Sequence, residues 1–394
     1  MSLDNTQDLP GDIRRHHDIR SPNADVVFFI LQTRPPIIPD ISNTTGLQCM
    51  TAIFRRIYSH NMLGPDGLAN TQHFRQAEAE NPVMSFAWQM FGQDLSSRQL
   101  RHDAWMKTKT HLEQREVDVS ATFEELCTSR MMNHTYWSQN EMRLLEPKMC
   151  CETWRTVGEN TEEIASSSLV SLDRNMSPDM TVQQAVESSF GIIRREGKHT
   201  LQRPARPHII RILYSSGSGP RLSFRELRDF NLPIWRETQD RQNPFDTSER
   251  AQYVILAVVR MRANLAANDL VRLYAASGAE IVPVYEDIPC MGTHWSIEDE
   301  NQHRYMLFYA PPGYDARLDD AYAFPEVAGP LIKDDDDSIA YLALVDKAMR
   351  PYIEKAEAER VAAAASNNRQ GGSFNDSGGP FGDSLPTEVK SEEQ

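Results

Sequence analysis

Two kinds of apolar spacing divide this chain, and the change from one to the other limits the folds open to it. In the first half Leu47, Met50, Phe54, Ile57 and Tyr58 recur on one helical face, and residues 98–115 are rich in Gln, Arg, Lys, Leu and Glu, all compatible with a helix. In the second half the apolar residues gather in short β-branched and aromatic runs at 208–214, 253–259, 270–274, 280–285 and 304–309. Gly and Pro clusters such as 215–220 separate them. Helices followed by strands, without strict alternation, predict an α+β fold with a helical first half and a mostly antiparallel second half. No internal repeat is visible.

The ends read differently. Residues 1–24 are polar, carry Pro10, Gly11 and Pro22, and lack the apolar content needed to offset ordering entropy, so they are expected to form a disordered arm. Residues 366–394 are expected to form a disordered tail. Between them lie a folded domain at 25–312, an acidic linker at 313–337 and a helix at 338–365, in which Ile339, Leu342, Val345, Met349 and Ile353 recur near helical spacing. The acidic run 334–337 reads as a solvated helix N-terminus favoured by the helix dipole; it lacks the Gly turn and closing Glu of a calcium loop.

No apolar run reaches the roughly 18–20 residues of a membrane span, and no signal-like segment opens the sequence. The expected setting is intracellular, cytoplasm or nucleus, with no membrane partner. The 394 residues carry 41 Lys and Arg against 56 Asp and Glu, a net charge of −15, which argues against a broad nucleic-acid surface. A basic protein partner suits this charge better. Five cysteines, Cys49, Cys127, Cys150, Cys151 and Cys290, are sparse and odd in number, as expected for reduced thiols. Cys150 and Cys151 suggest half of a zinc site, but no second pair follows at ligand spacing, so neither metal nor cofactor is expected.

Residues 40–55 read D-I-S-N-T-T-G-L-Q-C-M-T-A-I-F-R, which resembles the cysteine box of the ubiquitin-specific proteases, G-L-x-N-x-G-N-T-C-Y-M-N-A-x-L-Q. Without a gap, Ile41, Asn43, Met50, Ala52 and Phe54 fall on matching positions. Further blocks follow in the family's order. Residues 148–172 resemble the segment in which C-x-x-C leads to F-x-x-L-S-L, and 181–190 resemble T-L-x-x-A-L-x-x-F. Residues 206–212 resemble L-P-x-x-L-x-I-x-L, residues 253–259 resemble Y-x-L-x-A-V-V, and residues 305–309 resemble the closing Y-x-L-F-Y.

The resemblance implies a papain-like fold and a site in which a thiolate attacks the isopeptide carbonyl at the end of ubiquitin. Such chemistry needs a Cys at a helix N-terminus, a His as base, a residue to orient that His and an oxyanion donor. Asn43 falls on the oxyanion-donor position, and from its residue type it equally suits an Asx turn. The nucleophile position holds Gln48, and an amide cannot attack. Cys49 is one residue away, a rotation of about 100° along a helix, and is expected to pack inward. The family's G-H-Y-x-x-Y-V is best matched by residues 268–274, so the His position holds Asp269. His294 precedes a stretch similar to W-Y-x-F-D-D, which makes Asp299 the counterpart of the orienting acid.

These substitutions favour a catalytically inactive relative serving as a ubiquitin-binding or scaffolding module, with the acidic surface suited to the arginines of ubiquitin's tail. The alternatives are an active cysteine deubiquitinase using Cys49 with His294 or another histidine, and an interaction scaffold that does not bind ubiquitin.

Overall fold

The helix that carries the 47–58 pattern is enclosed on every side. In the computed structural model it spans Thr45–Asn61 and is buried at every position from Thr45 to Ser59. The structure describes residues 12–21, 24–33, 44–89, 98–195, 197–219, 221–239, 245–264, 267–275, 278, 281–282, 288–291, 295–299 and 303–313. The chain divides into two units, Met1–Lys333 and Asp334–Gln394, and every described residue belongs to the first. The expected linker from residue 314 onward, the 338–365 helix and the tail lie outside the described residues.

The first part of the chain forms α1 (Asp25–Thr33), α2 (Thr45–Asn61), α3 (Gln72–Glu80), α4 (Pro82–Phe86), α5 (Arg98–Gln114), α6 (Phe123–Cys127) and α7 (Arg130–Met132), the last running into a π-helical turn at Asn133–Trp137. Then come β1 (Met149–Cys150), β2 (Arg155–Thr156), α8 (Thr161–Ser167), β3 (Leu169–Asp173), α9 (Val182–Glu187), β4 (Gly191–Arg195), β5 (Lys198–Gln202) and β6 (Ile210–Ser215). The remainder forms α10 (Phe224–Leu227), β7 (Asp229–Pro233), β8 (Arg236–Glu237), β9 (Phe245–Asp246), β10 (Arg250–Arg260), β11 (Leu270–Leu273) and β12 (Arg304–Ala310). The fold is α+β. Reciprocal capping boxes start α6, α8, α9 and α10, with Thr122, Asn160, Thr181 and Ser223 paired to a Glu or Gln three residues on.

The main sheet has the order β11-β10-β12-β6-β3, with β7 also on β10. Its pairings are antiparallel except β3 with β6. This sheet separates two apolar cores, and β12 shows how: Met306, Phe308 and Ala310 enter one, while Tyr305, Leu307 and Tyr309 enter the other. A one-residue slip of β12 would exchange every one of these side chains between the cores, which fixes its register. The first core contains α2, with α1, α4, α6, β10, β11 and a one-turn helix at Pro289–Met291 packed around it. The second contains α9 and α10 residues such as Val186 and Leu227.

Two arginines enter the first core with α2. Arg55 donates through Nη1 to the carbonyls of Ala87 (2.7 Å) and Gln89 (2.9 Å), and through Nη2 to that of Ile30 (2.7 Å). Arg56 donates through Nε to Tyr274 O (2.8 Å). Burial lowers both guanidinium pKa values to about 9.

Part of the expected N-terminal arm is folded. Ile13 is completely buried, and Arg14 bridges Asp12 (2.6 Å) and Glu78 (2.7 Å), all three nearly inaccessible. The carbonyl of Ile19 accepts from Gly64 N (2.8 Å). Two isoleucines and one doubly paired arginine dock the ten-residue segment 12–21 on the core despite its polar composition. The expected 280–285 strand reduces, among the described residues, to one bridge between Ile281 and Tyr274.

Beside the main sheet, β2-β1-β5-β4 form a smaller antiparallel sheet. β8 and β9 form a separate two-stranded ribbon.

Candidate functional site

The first turn of α2 runs into a crowded junction. A Cβ on Gly46 would lie 2.7 Å from Phe123 N, so only a residue without a side chain lets α2 approach the start of α6 this closely. Gln48 follows on the next part of the turn, 6% exposed, with Nε2 donating weakly to Thr44 Oγ1 at 3.4 Å. Its Oε1 is buried and has no hydrogen-bond partner.

Asp269, at the entry to β11, closes this junction from the sheet side. Its Oδ2 accepts from Phe123 N (3.1 Å), its Oδ1 accepts from Arg262 N (2.9 Å), and Arg262 Nε lies 3.7 Å from Oδ2. Its own N–H donates to Thr45 Oγ1 (3.1 Å), across 224 positions of sequence. The carboxylate thus faces the N-terminus of α6, where the helix dipole favours a negative charge. Burial raises its pKa, opposed by the main-chain hydrogen bonds from Arg262 and Phe123 and by the Arg262 charge. Each carboxylate oxygen accepts one main-chain hydrogen bond, which ties the entry to β11 to the start of α6 and to the segment after β10.

Cys49 lies on the interior side of α2 with no exposure. Its thiol is pushed up foremost by burial, then by the neighbouring Cys290 thiol and by the Asp269 charge. All three influences oppose the thiolate, the reverse of what a nucleophilic cysteine requires. The inward packing expected for Cys49 is the geometry observed. Cys290 was not singled out from the sequence, since the short apolar stretch 288–291 has no spacing that links it to α2.

The structure therefore brings Gln48, Cys49 and Asp269 to one junction. Asp299 has a different place. It closes the turn 296–299 by accepting from Ser296 N (2.9 Å), lies 3.9 Å from Arg260 Nη1, and among the described residues shares no hydrogen-bonding or ion-pair partner with Asp269. Trp295 before it has the guanidinium groups of Arg260 and Arg272 over its ring at 5.5 and 4.4 Å and belongs to the second core. Asn43 and His294 lie outside the described residues.

Other thiols are held locally. Cys127 is buried; Cys150 Sγ donates to Glu152 Oε2 (3.0 Å), whose other oxygen accepts from His199 N (3.0 Å) and lies 3.1 Å from its Nδ1. Among the described residues no group of three or more His, Cys, Asp or Glu is arranged to hold a metal ion, and no helix is long and apolar enough to cross a membrane.

No protein-family model matches the chain, and no curated protein matches it.

Proposed function

We propose that this chain is a degenerate relative of the ubiquitin-specific proteases, with their papain-like arrangement, that binds ubiquitin without hydrolysing its conjugates. The observation that carries this reading is the hydrogen bond from Asp269 N to Thr45 Oγ1 at 3.1 Å. It joins the start of the helix resembling the cysteine box to the start of the strand resembling the histidine box. Contact between two blocks that lie 224 positions apart supports reading them as parts of one site.

The side chains at that junction speak against catalysis. Gln48 has no nucleophilic atom, Asp269 is committed to Phe123 and Arg262, and Cys49 is buried among groups that hold its proton on. What remains for the domain is non-covalent recognition. The net charge of −15 suits a partner whose C-terminal tail carries arginines.

Titration of labelled ubiquitin with the full chain tests this. Shift changes saturating at micromolar affinity or weaker, a binding free energy no more favourable than about −8 kcal/mol, are expected, with the complex loosened by added salt. Absence of any shift change at several hundred micromolar protein would replace this reading with a scaffold that does not bind ubiquitin.

A further inference from the structure

Helix α5 is sorted by polarity around its axis. Trp105, Thr108 and Leu112 are buried at the spacing of one helical face. Lys107 and His111 lie four positions apart on another face, and Arg115 continues their row just past the last residue of the helix, its N–H donating to Leu112 O (3.0 Å). All three are exposed. Met106, 42% exposed, flanks this row, and Thr110 lies between them, three positions on from Lys107 and four from Met106.

The row works against itself electrostatically. Like charges four positions apart on a helix repel one another. The His111 imidazole is held below its ordinary pKa by partial burial and then by the positive charges of Lys107 and Arg115. The acidic side chains of the helix are engaged elsewhere: Glu113 pairs with Lys109 (3.6 Å), and Asp103 accepts from Gln99 Nε2 (2.8 Å). A carboxylate seated between Lys107 and Arg115 meets two cations at once and removes the obstacle to a third charge on His111. Residues 105–116 hold three Lys or Arg against two Glu, whereas the whole chain holds 41 against 56, so the row stands out on an acidic protein.

We propose that this row on α5 docks an acidic polypeptide helix whose carboxylates recur every four residues and meet Lys107, His111 and Arg115 in turn. A four-residue step rises about 6 Å on both helices, so the two rows stay in register over this short span. An apolar side chain of the partner packs against Met106. Binding brings a proton onto His111, which ties the affinity to pH. The charge of the chain as a whole repels a long polyanion, which favours a short acidic segment over nucleic acid. The inference is independent of the ubiquitin reading, which invokes a basic tail on an acidic surface.

The test is fluorescence anisotropy of the full chain with a labelled peptide of repeating Glu-Ala-Ala-Leu units, beside its Lys-Ala-Ala-Leu counterpart and a single-stranded oligonucleotide. The acidic peptide is expected to bind and the basic one not, with affinity about three- to tenfold tighter at about pH 6 than at about pH 7.5. Lys107→Glu and Arg115→Glu are each expected to weaken binding about fivefold or more. His111→Gln is expected to remove the gain at low pH and to leave the affinity near pH 7.5 close to that of the wild type. All three positions are exposed, so the variants should keep the wild-type circular dichroism and thermal midpoint. Failure of the acidic peptide to bind, binding indifferent to both charge reversals, or a gain at low pH that survives His111→Gln overturns the proposal. Tighter binding of the oligonucleotide with the same dependence on Lys107 and Arg115 also overturns it, in favour of a nucleic-acid site.

Discussion

The carboxylate of Asp269 accepts the main-chain N–H of Phe123 at 3.1 Å and that of Arg262 at 2.9 Å, so one side chain binds the start of a helix and a segment after a strand 146 and 7 positions away. Removing it leaves the N–H groups of Phe123 and Arg262 without their acceptor and the Arg262 guanidinium, which still donates to Ser120 O (2.7 Å), without its counter-charge. Asp269→Ala should cost about 3–5 kcal/mol, and Asp269→Asn, which keeps one acceptor oxygen, about 1–3 kcal/mol. Urea unfolding of the two variants gives the comparison; equal stability of Asp269→Ala and wild type would show that the junction is not held in this way.

Thiol chemistry follows burial. Cys150 and Cys151 are partly exposed, whereas Cys49, Cys127 and Cys290 are buried. A maleimide applied to the native chain should modify the first two rapidly and the other three only after denaturant is added, as read by intact and peptide mass. Rapid native modification of Cys49, or its capture by a ubiquitin-based electrophile, would make it a nucleophile after all.

Arg14 is the counter-charge of two carboxylates that are 1% and 2% exposed, Asp12 and Glu78. Burial already raises the pKa of Glu78 even though Arg14 opposes that shift. Arg14→Ala should therefore destabilise by about 3–5 kcal/mol at neutral pH, while Arg14→Ala combined with Glu78→Gln should recover part of the loss. The urea midpoints of the single and double variants decide it.

His60 sets a pH dependence. Burial, then the positive charge of Arg56, lower its pKa to about 4, with Nε2 donating to the Pro311 carbonyl at 2.9 Å. The unfolded chain takes up this proton near pH 6.5 and the folded chain only near pH 4, so stability is fully present above 6.5 and lost as pH falls through that window. The loss from this one group amounts to about 3 kcal/mol at most. His60→Gln should flatten that part of the stability profile; an unchanged slope between pH 6.5 and 4 would assign it to other groups.

What the sequence displays and what it hides divide along physical lines. The apolar spacing of α2 and the continuous apolar run of β12 are strong signals, and both elements form where those residues place them. The contact between Thr45 and Asp269 has no signature in the apolar spacing, because periodicity carries no information about which helix end touches which strand. The partners that define the junction, Phe123 and Arg262, act through main-chain N–H groups that any residue type supplies. Cys290 reaches Cys49 through tertiary packing alone. In residues 12–21 the mean over a polar segment conceals two isoleucines at docking positions.

Arg55 gives the helical layer a property that packing alone would not. One guanidinium acts as a peg through three carbonyls, so α1 cannot lift from α2 without stripping the Ile30 hydrogen bond from a buried charge. A protease cut anywhere between residues 34 and 43 should therefore leave the nicked pieces travelling together through a sizing column. Lysine at position 55, with a single nitrogen and no fork, would release α1 from such a nicked chain while leaving the uncut protein folded.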